Sequence, residues 1–273
     1  MNNSKIFIII PARYASARLP AKPLQKIKGR EMIYRVAEIA QEICKQNSSC
    51  SYVIATDHVD IELFCNKNNL PVVMTSVLCK NGTERCWEVV QTLKEKPHLI
   101  INFQGDNPLC PPTILQDLID EWTRNPAPAV YTPYVHLTWN EYNNILESKK
   151  ITPFSGTTVL VDHQNYAMVF SKSLIPVIRK MEEAQTASPH RSPVRVHLGI
   201  YAYTYETLEK YMALEETTYE KSFIEGLEQL RFLYNGFKIK MIEVFLLGKR
   251  DNIDFLCGVD SPEDIARVEA IME

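Results

Sequence analysis

A chain of 273 residues, 45% hydrophobic and 23% charged, can bury a substantial core as one large domain or one domain with a sizeable insertion. Its net charge of −3 excludes a sequence-independent grip on nucleic acid or an anionic membrane, so any anionic ligand must be met by a local cluster of cations. The apolar run Ile6 to Ile10 stops at Pro11, too short for a signal-peptide core or a membrane span, and no later stretch is long enough. The seven cysteines (Cys44, Cys50, Cys65, Cys79, Cys86, Cys110 and Cys257) form no Cys-x-x-Cys pair. That pattern suits reduced thiols better than a disulfide framework or a zinc site, and a cytoplasmic globular protein is expected.

In chain order, Lys5–Ile10 reads as a buried strand, short, β-branched and closed by a proline. From Arg30 to Cys44 the apolar residues Met32, Ile33, Val36, Ile39, Ala40 and Ile43 recur at helical spacing. Strands are expected at Tyr52–Ala55, Pro71–Met74 and Leu99–Phe103, with helices around Asp60–Asn66, Thr83–Leu93 and Pro111–Trp122 between and after them. This alternation predicts an α/β fold, a mostly parallel sheet flanked by helices. Ligands of such sheets gather outside the carboxyl ends of the strands, here the loops after Ile10, Ala55 and Phe103.

From Ala129 the rhythm changes. Thr157–Val161 and Tyr166–Phe170 flank Asp162-His-Gln-Asn165 as a hairpin. Val196–Tyr203 reads as one strand, Tyr219 to Tyr234 as a helix, Lys238–Val244 as a strand and Phe255–Val259 as another. A last helix starts at Ser261, with Pro262 at its first position and acids in its first turn. Arg124–Pro128 and Gln185–Arg195 read as loops.

The segment Pro11-Ala-Arg-Tyr-Ala-Ser-Ala-Arg-Leu-Pro-Ala-Lys-Pro-Leu24 follows the first strand and carries Arg13, Arg18 and Lys22. A triphosphate needs such a cluster, because its crowded charge must be offset before a nucleophile approaches. A solvated basic loop reads the same way. The run is neither a Walker A motif nor a Gly-x-Gly-x-x-Gly fingerprint, which counts against P-loop ATPases and dehydrogenases.

Asn102-Phe-Gln-Gly-Asp-Asn-Pro108 ends a strand and places Asp106 where a carboxylate can hold magnesium, a hard cation that prefers oxygen. Gly-Asp-Asn-Pro is also a good turn. Asp260, in Gly258-Val-Asp-Ser-Pro-Glu-Asp264, sits at another strand's end, and two such aspartates can share metal at a nucleotide's phosphates. Helix initiation explains the same pattern. Asn81-Gly-Thr-Glu-Arg85 is a helix start that brings free amides and Thr83 toward a phosphate or base, or simply caps a helix. In a single strand His197, Gly199, Tyr201 and Tyr203 share one face, fit for a polyhydroxylated ligand or for a core.

Together these segments resemble the 3-deoxy-manno-octulosonate cytidylyltransferase family, the CMP-Kdo synthetases, where Kdo is the octulosonate. The likeness rests on IIIPARYASARLPAKPL, ATDH, NGTER, NFQGDNP, HLGIYAY, LEQLR and GVDSPED, which span nearly the whole chain. It implies a Rossmann-like nucleotidyltransferase fold over residues 1–273, with a smaller sugar-binding and dimerisation part near residues 130–215, and a homodimer. Carried over position by position, Arg13 and Lys22 neutralise the phosphates of CTP with Arg18 assisting, and Asp106 and Asp260 ligate Mg2+. Thr83 and Gln104 lie near the nucleotide, and His197, Tyr201, Glu228 and Gln229 bind the sugar. The implied reaction is in-line attack of the anomeric hydroxyl on the α-phosphorus of CTP, a step in lipopolysaccharide or surface-glycan precursor synthesis.

Several positions depart from the family pattern. Asn107 stands where a Glu is usual, Gly156-Thr-Thr-Val159 where a lysine-bearing strand is usual, and Tyr219-Glu-Lys-Ser222 where Pro-x-Glu is usual. Gln185–Arg195 also differs from the usual arginine-containing approach. These departures leave 8-amino-Kdo or a nonulosonate open as acceptor, and a non-catalytic nucleotide-binding descendant as the other alternative.

Overall fold

The isoleucines of the first strand are fully enclosed, Ile8, Ile9 and Ile10 having no exposed surface. The computed structural model describes residues 5–16, 18–221, 223–245 and 258–272. In it the strand β1 runs Ile6–Ala12, followed by a 3-10 turn at Lys22–Leu24 and a small hairpin of β2 (Lys26–Ile27) and β3 (Arg30–Glu31). Helix α1 spans Met32–Gln46 and buries Met32, Ile33, Val36, Ala37, Ala40 and Ile43; the expected stripe holds except at Ile39, which is half-buried while Ala37 is enclosed. Next come β4 (Cys50–Thr56), α2 (Val59–Lys67), β5 (Val72–Met74), α3 (Gly82–Thr92), β6 (Leu99–Asn102) and α4 (Pro112–Arg124).

The second half continues with β7 (Val130–His136), α5 (Trp139–Ile151), β8 (Thr158–Val161), β9 (Ala167–Ser171), α6 (Met181–Ala187) and β10 (Arg195–His197). Then follow β11 (Tyr201–Tyr203), α7 (Tyr205–Ala213), α8 (Gln229–Tyr234), β12 (Ile239–Glu243) and α9 (Pro262–Ile271). The chain forms two compact units: unit 1 is residues 1–119, 200–212 and 254–273, and unit 2 is residues 120–199 and 213–253. Unit 2 thus begins ahead of the segment 130–215 and returns beyond it.

Within unit 1 the strand order is β5-β4-β1-β6-β11. The pairs β1–β4, β1–β6 and β4–β5 are parallel, and β11 joins β6 antiparallel. The sheet is therefore mixed, with a parallel core. Because β4, β1 and β6 lie side by side and run the same way, their last residues Thr56, Ala12 and Asn102 stand on one edge. Unit 2 holds β7 paired with β12 in parallel and with β10 antiparallel, followed by β8 and the antiparallel hairpin partner β9. The hairpin turn is fixed by Asp162, whose Oδ1 accepts from Gln164 and Tyr166 N–H at 2.8 Å each.

Three sequence expectations are corrected. Val196–Tyr203 is not one strand: β10 pairs with β7, β11 pairs with β6, and the chain leaves unit 2 for unit 1 between Gly199 and Ile200. The alternation of one pleated strand does not carry across that break, so the face expected to unite His197 with Tyr201 and Tyr203 does not exist. Tyr219–Tyr234 is likewise broken, into a 3-10 turn at Thr218–Glu220 and α8, with Gly226 between them at φ +64°. A helix cannot continue through a left-handed residue. Of the loop Gln185–Arg195, residues through Ala187 belong to α6 and Arg195 begins β10. The expected strand Phe255–Val259 falls largely outside the described residues, while Gly258 and Val259 are not in a strand. No helix among the described residues is long and apolar enough to cross a membrane.

Candidate active site

The carboxyl edge of the unit 1 sheet is built by backbone fit before any charge is placed on it. Gly105 N–H donates to the Pro11 carbonyl at 3.2 Å, and a Cβ at Gly105 would lie 2.7 Å from that same oxygen. Only glycine allows the loop after β6 to approach the end of β1 so closely. The turn that follows releases Asp106, whose carbonyl accepts Val259 N–H at 2.9 Å. That bond aligns the segment of Asp260 beside Asp106. The helix α9 holds it there: Ser261 caps Asp264 N–H, and Asp264 Oδ2 accepts the N–H groups of Asp260 and Ser261, each at 3.0 Å. Val259 and Val268 pack with Leu19, Ile27 and Met32, which anchors α9 under the basic loop.

Lys22 reaches into this arrangement from the 3-10 turn, preceded by Ala21 in the left-handed region at φ +51°. Its Nζ donates to Asp106 Oδ2 at 2.7 Å and to Asp260 Oδ1 at 2.9 Å. Arg18 reaches the other oxygen of Asp260 at 2.8 Å. Burial of Lys22 works to lower its pKa, but the two carboxylates outweigh it and hold the ammonium above its ordinary value. Burial likewise acts to raise the pKa of Asp260, and Lys22 with Arg18 brings it below the ordinary carboxylate range. Arg13 is exposed, next to the end of β1.

A second polar chain runs through Gln104, Asn102, Thr83 and Tyr203. Gln104 Nε2 donates to Asn102 Oδ1 at 2.8 Å, Asn102 lies 3.4 Å from Thr83 Oγ1, and Thr83 meets the Tyr203 hydroxyl at 3.2 Å. Thr83 is buried and Gln104 half-buried. Gly82, at the start of α3, comes so near that a Cβ there would stand 2.6 Å from Gln104 Nε2.

Of the residues expected on the sugar side, His197, Glu228 and Gln229 belong to unit 2 and Tyr201 to unit 1. His197 is buried, its Nε2 is 2.8 Å from Thr132 Oγ1, and its ring meets Phe170 edge-on at 4.9 Å. Burial, with Lys172 adding to it, pushes its pKa down to about 3, so the imidazole is neutral at neutral pH. Gln229 and Tyr201 are buried and Glu228 half-buried.

The segments ATDH and NGTER also carry Asp57 and Arg85, to which the sequence assigns no role of their own. Arg85, only 3% exposed, donates from Nη2 to Asp57 Oδ2 at 2.9 Å. The available signal was an acid directly after a strand on the same edge as the basic loop.

Asp106 and Asp260 converge within hydrogen-bond reach of one cationic atom, so their oxygen donors fit a small hard cation. No group of three or more His, Cys, Asp or Glu residues poised for a metal occurs among the described residues. A pair of carboxylates suits magnesium, which binds through one or two carboxylates and substrate phosphates and keeps its waters.

A cytidylyltransferase family profile matches residues 7–241. The chain is 36% identical to the 3-deoxy-manno-octulosonate cytidylyltransferase of Maricaulis maris over 267 residues, 98% of this chain and 96% of that protein. It is 36% identical to the enzyme of that name from Dichelobacter nodosus, covering 97% of each. Among solved structures, a CMP:2-keto-3-deoxy-manno-octonic acid synthetase complexed with CTP superposes with a TM-score of 0.80 at 33% identity, covering 98% of both chains.

Two outcomes are expected. Gly105→Ala will cost about 1–3 kcal/mol in urea unfolding, as overpacking against rigid backbone does. Gly258→Ala will be close to neutral there, since its Cβ would meet Asp106 only at 3.5 Å. Second, because the folded His197 pKa of about 3 lies below the unfolded value near 6.5, the unfolded chain binds the proton first. The stability this residue contributes is full above pH ~6.5 and is lost as pH falls toward the folded value. Between pH 7 and 5 the wild type will lose roughly 2 kcal/mol more than His197→Gln, read by denaturant titration at each pH.

Proposed function

The chain belongs to the 3-deoxy-manno-octulosonate cytidylyltransferase family, and on that premise we propose that it transfers CMP from CTP to the anomeric hydroxyl of Kdo or a Kdo-like sugar acid. Pyrophosphate is the second product. The observation that carries the reading is the meeting of Lys22 with Asp106 and Asp260 on the carboxyl edge of a parallel sheet. That edge is where a nucleotide-binding α/β sheet does its chemistry.

In the reaction the acceptor oxygen forms a bond to the α-phosphorus as the α–β phosphoanhydride breaks. Arg13, Arg18 and Lys22 act on the phosphates: their fixed positive charge offsets the repulsion met by the incoming oxygen and stabilises the departing pyrophosphate. Arg18 and Lys22 reach the aspartates from the same loop, so the phosphate-binding cations and the acidic pair are placed together. Asp106 and Asp260 would hold Mg2+, which supplies further charge neutralisation when bound. Gln104 and Thr83 are read as nucleotide-side residues. We assign the sugar side to His197, Tyr201, Glu228 and Gln229, with residues near 130–215 also carrying homodimer contacts. A cytoplasmic location accords with the reduced-thiol pattern of the cysteines.

A second acceptor stays open for a specific reason. Asn107 and the segments 156–159, 185–195 and 219–222 depart from the family pattern; 156–159 and 185–195 lie within residues 130–215, and 219–222 lies shortly before Glu228 and Gln229 in the chain. An amino-Kdo or a nonulosonate fits that distribution of change.

Pyrophosphate release from CTP and Mg2+ should be measured with Kdo, 8-amino-Kdo, N-acetylneuraminate and no sugar. Release with Kdo is the expected outcome, and Asp106→Asn should lower it by at least about two orders of magnitude. Release with another acid alone would reassign the acceptor. Silence with every acid, while CTP still binds, would sink the catalytic reading.

A further inference from the structure

The buried ion pair between Asp57 and Arg85 touches the basic loop directly. Asp57 directly follows β4, beside the end of β1. Its Oδ2 accepts from Arg85 Nη2 at 2.9 Å, and its Oδ1 accepts the backbone N–H of Tyr14 at 3.1 Å. Tyr14 is the residue after Arg13, and its ring stacks on that of His58 with centroids 3.6 Å apart. Arg85 projects from the first turns of α3, and its Nη1 bonds Thr75 Oγ1 and approaches the Ser76 carbonyl at 3.4 Å. Thr75 in turn bonds through N–H and Oγ1 to the Thr56 carbonyl, at 2.7 and 3.0 Å.

One carboxylate thus joins two elements. Through Oδ1 it fixes the start of the loop that carries Arg13, Arg18 and Lys22. Through Oδ2 and Arg85 it fixes α3, whose first residues Gly82 and Thr83 stand against Gln104 and Asn102. The side chains of both partners are almost wholly removed from solvent, 4% exposed for Arg85 and 12% for Asp57, so neither is placed to touch a phosphate itself.

We propose that Asp57 is a positioning residue for CTP: held in place by Arg85, it sets the conformation of the phosphate-binding loop and its spacing from the start of α3. The inference rests on the reading of CTP as substrate. A buried ion pair alone is weak grounds for a functional role, since apolar replacement of both partners is often tolerated by the fold. The acceptor offered to Tyr14 N–H is what distinguishes positioning from stability.

The test compares two double variants, Asp57→Ala/Arg85→Met and Asp57→Asn/Arg85→Met. Both remove the buried charges, and only the second keeps an oxygen acceptor for Tyr14. Thermal unfolding and CTP affinity by calorimetry are read for each, with KM for CTP and kcat from pyrophosphate release. The Ala variant is expected to raise Kd and KM for CTP by about tenfold, the worth of one hydrogen bond that orders a loop. The Asn variant is expected to restore both to within about twofold of wild type at a similar Tm. Equal CTP affinity in the two variants, or failure of both to fold, would overturn the proposal and leave the pair a structural role only. Wild-type protein that binds no CTP would instead sink the substrate reading itself.

Discussion

An ammonium group held between two carboxylates organises this molecule's candidate site. Lys22 lies 84 positions before Asp106 and 238 before Asp260, so the contact closes only when three separate stretches of chain meet on one sheet edge. Two like charges so close would repel in a partly desolvated setting, and the ammonium removes that cost. The opposed shifts, Lys22 above its ordinary pKa and Asp260 below, share this attraction, with Asp106 adding to the first and Arg18 to the second.

Most of what surrounds this triad serves its geometry. Gly105 allows the β6 loop to pass against the Pro11 carbonyl, and the bond from Val259 N–H to the Asp106 carbonyl brings the last segment alongside. The capping of α9 then fixes Asp260 through its own N–H. The first two devices use backbone groups alone, and the third holds backbone N–H groups on the short side chains of Ser261 and Asp264. The charged atoms therefore converge on supports that cost little conformational entropy to hold.

Asp57 and Arg85 form a counterpart, more deeply buried and directed at the backbone of Tyr14. The two ion pairs divide the labour of the edge. The less buried one gathers the charges of Arg18, Lys22, Asp106 and Asp260, and the enclosed one bonds the backbone of the loop from which the cations project. Unit 2 adds a different chemistry, in which the buried and neutral His197 offers a hydrogen-bonding ring without a charge.

The sequence by itself determined the parallel half of the fold, the loops to examine, and the residues Arg18, Lys22, Asp106 and Asp260 that the structure brings together. Strand and helix periods are local, and motif spacing after a buried strand follows from the pleat and the turn. Residue pairings were illegible for the opposite reason. Nothing local announces that Arg85 will meet Asp57, 28 positions away, or that Val196–Tyr203 changes partner strands midway. The strand β7 carries Pro133, which argues against a central strand, and α5 buries little beyond Trp139 and Tyr142, so its period is faint. Tertiary structure decided these matters because hydrogen-bond partners and desolvated charges are chosen among distant segments, and only the folded sheet says which of them arrive at the same edge.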